Sequence, residues 1–95
     1  MYWYYGTFTK PYDPTTCLSF ANDSFQRHSL NLFLAPTGYM TVGGAPDSSV
    51  IVQVTCAPQG GGTWVAVTAF SDNDDLAKNT RDNVQSYIQS EVRID

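Results

Sequence analysis

Two thiols, one imidazole, a short acidic run and thirteen aromatic rings are the side chains of this 95-residue chain whose types could do chemistry. Cys17 and Cys56 carry the thiols and His28 the imidazole. A structural zinc site needs four ligands, and two Cys with one His fall short, so no metal is expected. A cysteine nucleophile needs a base within hydrogen-bond reach. If Cys17 and His28 share a helix, their spacing is about three turns, some 16 Å along the axis, so they do not touch. Cys56 with His28 stays open as a hydrolase reading. Otherwise His28 reads as the polar end of a helix, where its charged form is mildly favoured.

The remaining motifs read as structure. "DNDD" at 72–75 resembles the start of a calcium loop, but the sixth and twelfth positions hold Ala77 and Asn83 instead of glycine and an acid. Helix capping accounts for these acids better. "GGG" at 60–62 lacks a following Lys-Ser/Thr and sits between two β-prone runs, which suits a hairpin connection and not a phosphate loop. "NDS" at 22–24 has the glycosylation pattern but falls inside an expected helix. No pair of carboxylates is placed for glycosidase chemistry. The expectation is a non-enzymatic protein with no cofactor.

Charge narrows the partners. The formal charge is −4, and the basic residues Lys10, Arg27, Lys78, Arg81 and Arg93 are scattered. No basic stripe exists to displace counterions from phosphates, so neither nucleic acid nor an anionic membrane surface is expected. The apolar stretches are far shorter than the roughly 20 residues that span a bilayer. At 42% hydrophobic and 15% charged, the chain is too apolar for disorder and sparse in charge, with Thr, Ser, Asn and Gln in place of Lys and Glu. That composition, with two cysteines, suggests a secreted or periplasmic protein whose leader has been removed; "MYWYYGTF" is β-prone and not a signal sequence.

The elements that must position these residues follow from pattern. Residues 2–9, "YWYYGTFT", read as a strand. Asp13 and Pro14 suit the N-cap and first position of a helix running to about His28. Cys17, Phe20, Ala21 and Phe25, with Leu18, form its buried stripe. Leu30, Leu32 and Leu34 alternate as an extra extended segment, and "GYMTVGG" is a short strand. Val50, Val52, Val54 and Cys56 share one face of a clean strand, with Ile51, Gln53 and Thr55 on the other. Pro58 to Gly62 turn the chain, and Trp64–Phe70 return. A last helix, capped by Ser71 or Asp72, sets Leu76, Thr80, Val84, Tyr87, Ile88 and Glu91 along one face with Ala77 and Val92 beside it, and Arg93 suits its end. Residues 1–95 are thus one small α+β domain, β-α-β-β-β-α, a two-layer sandwich of an antiparallel sheet with both helices packed on one face.

Two consequences concern function. Cys17 lies on the helix stripe and Cys56 on the sheet face that meets it, so a disulfide is allowed if the Cα atoms approach within about 7 Å. Closing a loop of roughly 40 residues would contribute on the order of 4 kcal/mol. The alternatives are two buried, inert thiols or a reactive one. Second, the uncovered sheet face should carry Tyr39, Ile51, Trp64 and Phe70, unless the last strand is reversed and sends Val65 and Val67 outward. Aromatic residues without Lys or Glu describe a protein interface. The leading expectation is therefore an interaction or structural domain that meets a protein partner, or its own copy as a homodimer, through that face or through the aromatic first strand. The second is a small-ligand or glycan binder with Trp3, Tyr5 and Trp64 as stacking platforms.

Overall fold

The computed structural model describes residues 1–92. The chain runs β1 (Tyr2–Lys10), α1 (Pro14–Arg27), β2 (Asn31–Thr37), β3 (Met40–Gly44), β4 (Val50–Gln59), β5 (Gly62–Ser71), α2 (Asp74–Ser90). The five strands form one antiparallel sheet in the order β1-β5-β4-β3-β2. The α+β sandwich expected from sequence is present, with one strand more. The alternating leucine segment pairs with β3 as β2, because Gly38, at φ +61, closes a tight turn between Thr37 and Met40. Pro36 is tolerated there because β2 is an edge.

Local signals explain the helix ends. The Asp13 carboxylate accepts the Thr16 N–H at 3.3 Å, and Pro14 needs no donor at the first helical position. At the other end Ser29 takes the left-handed conformation (φ 59). Its N–H reaches the Gln26 carbonyl at 3.3 Å, and the Leu30 N–H reaches that of Phe25 at 2.8 Å. This is a Schellman closure made without glycine. α2 is capped by Asn73, whose Oδ1 accepts the Leu76 N–H at 3.0 Å, and not by Ser71 or Asp72. Ser71 is still in β5, and its hydroxyl donates to the Ser49 carbonyl while accepting the Asn73 N–H. Arg93, expected at the end of α2, lies outside the described residues.

The core lies between the helices and one sheet face. Val50, Val52, Val54 and Cys56 of β4 and Val65, Val67 and Ala69 of β5 are fully buried there. α1 covers the β4–β3 half with Cys17, Phe20, Ala21 and Phe25. α2 covers the β1–β5 half with Val84 and Ile88. Burying each such valine contributes about 1.5 kcal/mol or more. The Phe25 ring rests on Gly43 so closely that a Cβ there would stand 2.7 Å from it. The second chain turn, Gly60-Gly61, has positive φ at both residues, as a two-residue β4–β5 hairpin requires.

One polar tie crosses the whole chain. Lys10, at the buried end of β1, donates to the carbonyls of Gln89 at 3.0 Å and Glu91 at 2.7 Å. Its ammonium also lies over the rings of Tyr12 and Phe20. The first strand thereby satisfies the carbonyl end of the last helix with a cation, where the dipole favours one.

Candidate functional site

The register of the strands builds the uncovered face of the sheet row by row. Trp3 pairs with Phe70, and Phe70 with Ile51, which faces Gly44. The next row is Tyr5, Thr68, Gln53 and Val42. Below it come Thr7, Ala66, Thr55 and Met40, and last Thr9, Trp64 and Ala57. Antiparallel partners project to the same side, so these residues form one continuous surface. The Phe33 ring of β2 sits where a Cβ on Gly44 would be, extending the first row to the far edge.

The surface is large-ringed and uncharged. Trp3 and Tyr5 keep 67% and 71% of their area in solvent, and Trp64 keeps 38%. The Trp3 and Phe70 rings stand 6.3 Å apart, tilted by 45°. No outward position of β1, β5, β4 or β3 carries Asp, Glu, Lys or Arg. The polar groups on it are hydroxyls and one amide, and the Gln53 amide leans on the Met40 sulfur at 2.9 Å. The charges lie elsewhere: Asp74, Asp75, Lys78, Arg81 and Asp82 are on α2, Asp23 and Arg27 on α1.

Of the residues expected to bind, Trp3, Tyr5, Ile51, Trp64 and Phe70 are all on this face, and Val65 and Val67 point inward. Tyr39 is exposed but belongs to the β2–β3 turn, where its carbonyl accepts the Cys56 N–H at 2.7 Å. Trp3, Tyr5 and Trp64 do not converge. Trp64 is six positions along β5 from Phe70, the partner of Trp3, which places the two indoles about 20 Å apart. Among the described residues, four of the larger surface clefts have none of Trp3, Tyr5 or Trp64 in their linings. One, of about 450 Å³, lies between α1 and the β2–β3 hairpin and is lined by Leu18, Asn22, Asp23 and Pro36. Phe33 and the Gly44 notch it fills escaped the sequence reading; the Gly43-Gly44 pair beside an apolar strand is the signal that could have indicated them.

The cysteines meet but are not bonded. Cys17 and Cys56 are both free and fully buried, within hydrogen-bonding reach of each other. This corrects the expected disulfide. The face argument brings the sulfurs together, but proximity alone does not oxidise them, since the thiolate is the form that reacts. Burial pushes the Cys56 thiol up to about 12, with the neighbouring Cys17 adding to the effect. Burial also raises Cys17, against the opposing pull of Thr63, Lys10 and Cys56. Nor are Cys56 and His28 brought together. His28 lines a cleft beside Val50, at the other end of β4, about 20 Å from Cys56. His28 caps α1, its Nδ1 lying 2.8 Å from the Ser24 carbonyl, with its ring edge-on to Tyr87. Among the acids expected to cap α2, Asp74 accepts a hydrogen bond from the Tyr4 hydroxyl, which holds that phenol above its ordinary pKa.

No protein-family model and no curated protein sequence matches the chain. Solved structures do. TTHA0849 from Thermus thermophilus superposes with a TM-score of 0.57 at 13% identity, covering 93% of this chain and 92% of that one. Ara h 8.0201 aligns at a TM-score of 0.43 and 11% identity, covering 95% and 99%. At 13% identity the first likeness is one of fold, an antiparallel sheet with its helices.

Proposed function

We propose that this protein is a non-enzymatic interaction domain that engages a protein surface through the uncovered face of its sheet. The observation that carries this reading is the composition of that face. It holds exposed Trp3, Tyr5, Ile51 and Trp64 on a rigid sheet, without one charged side chain. Exposed sheet faces of water-soluble domains ordinarily alternate apolar-in with polar-out, and here the outward set holds the two tryptophans of the chain. Interfaces are enriched in these rings and depleted in Lys, Glu and Asp. A small ligand held between the same rings has less support, because Trp3 and Trp64 are too far apart to enclose one.

The test is photo-cross-linking in the native cell. A cross-linking side chain at Thr68, in the middle of the face, should yield protein adducts. One at Ser86, exposed on α2, should yield few. Equal adduct formation at both positions, or none at Thr68, would refute the reading.

A further inference from the structure

Resting on that reading, we infer that the partner is a second copy of this chain, packed sheet against sheet with a two-fold axis along the strands. Three features of the face lead there. The first is electrostatic. The chain carries −4 overall, which opposes self-association, but the charged side chains of α1 and α2 lie on the far side of the sheet, and beside the first row the Asp72 carboxylate is paired with the Met1 amino group at 3.8 Å. Two sheets packed about 10 Å apart would hold these helical layers more than about 20 Å from each other. That is well beyond the Debye length of about 8 Å at physiological salt. The uncharged faces of two copies therefore meet without repulsion between their outward side chains.

The second feature is self-complementarity. A two-fold axis along the strands places β4 over β4 of the copy and keeps each row against its own kind. The row of Trp3, Phe70 and Ile51 then meets the same row, and the hydroxyl- and amide-bearing rows meet each other. An isologous interface requires such a match. The third is size. Five strands at about 4.8 Å and four rows at about 7 Å give on the order of 600 Å² of flat area per copy. The pair would bury about 1,200 Å² or more, which reaches the range of specific interfaces.

Sedimentation equilibrium from about 1 to 200 μM should show twice the chain mass, with Thr55→Glu weakening the dimer at least tenfold and Ser86→Glu leaving it unchanged. Gln53→Glu, nearly isosteric, is the second variant should Thr55→Glu disturb folding. Because the native thiols are buried, Ile51→Cys introduces the one accessible thiol, and a bis-maleimide whose arm matches the sheet separation of about 10 Å should join two copies through it. Ser86→Cys should remain monomeric under the same treatment. A monomer at every concentration, or a dimer indifferent to both face variants, would overturn the inference. Adducts at Thr68 with other proteins, from a monomeric chain, would remove the second copy and keep the interaction domain. Absence of both adducts and dimer would remove both.

Discussion

The two faces of the sheet are both uncharged apart from Lys10, yet they are built from different shapes. On β4 and β5 the covered face is paved largely with valine, alanine and Cys56, small side chains that let α1 and α2 approach closely. Two of its large rings, Phe20 and Phe25, come from α1, while β1 adds Phe8 beside Val65 and Tyr4 beside Ala69. The uncovered face has the opposite build: Trp3, Tyr5, Phe70 and Trp64 project from the strands with nothing above them. A core needs side chains that interdigitate at near-crystalline density, and small β-branched ones do so under a helix. A docking face needs relief and area from few residues, which rings supply at low entropic cost. On β5 apolarity alone does not distinguish the two sides; side-chain volume does.

Adjacent positions on β5 offer the sharpest way to break this comparison. Val67→Asp buries an unpaired carboxylate and should cost about 4 kcal/mol, most of a small domain's stability. Thr68→Asp, one residue on and outward, should leave the isolated chain within about 1 kcal/mol of wild type by urea denaturation. Similar losses at both would mean that the faces are not different in kind. Next in size is the inward end of β1. Lys10→Met orphans two helix carbonyls and should lower stability by about 2 kcal/mol, with hydrogen exchange rising first in the last turn of α2.

The glycines refine the description of the covered face. Gly43→Ala drives a Cβ into the Phe25 ring and should cost about 1–2 kcal/mol. Gly6→Ala, also inward, meets the ends of Gln85 and Arg81, which can swing away, and should cost less than about 1 kcal/mol by the same denaturation. The thiols act only in alkali and contribute no pH dependence near neutrality. The folded chain keeps Cys56 protonated up to about 12, against an ordinary value of 9.0. Between those values the folded state binds more protons than the unfolded one, so the contribution is full below pH 9 and is lost as pH rises through the window. Alkaline denaturation of Cys56→Ala should therefore show a shallower decline than wild type. A thiol reagent should find both cysteines only after unfolding.

Legibility from sequence tracks periodicity. The Val50–Cys56 alternation assigns both faces of β4, and the stripe from Cys17 to Phe25 assigns the buried side of α1. β5 is ambiguous in sequence because both of its residue sets are apolar, and only the pairing Phe70↔Ile51 sends Trp64 and Phe70 outward. Tyr39 escapes placement because a one-residue difference in where a turn ends moves a side chain from sheet to loop. The α2 cap sits one or two residues from its expected place for a related reason: whether β5 continues to Ser71 depends on its hydrogen bond to Ser49, 22 residues away.

By itself, then, the amino-acid order determined which segments fold locally, which residues each would bury, and that two thiols share a layer, because these follow from side-chain period and caps within a few turns of chain. Only the tertiary structure decided that Lys10 closes α2 from 79 residues away, and that Trp3, Tyr5, Trp64 and Phe70 lie on one uncharged surface. Those outcomes depend on strand register and on the approach of distant backbones, quantities that no local pattern encodes.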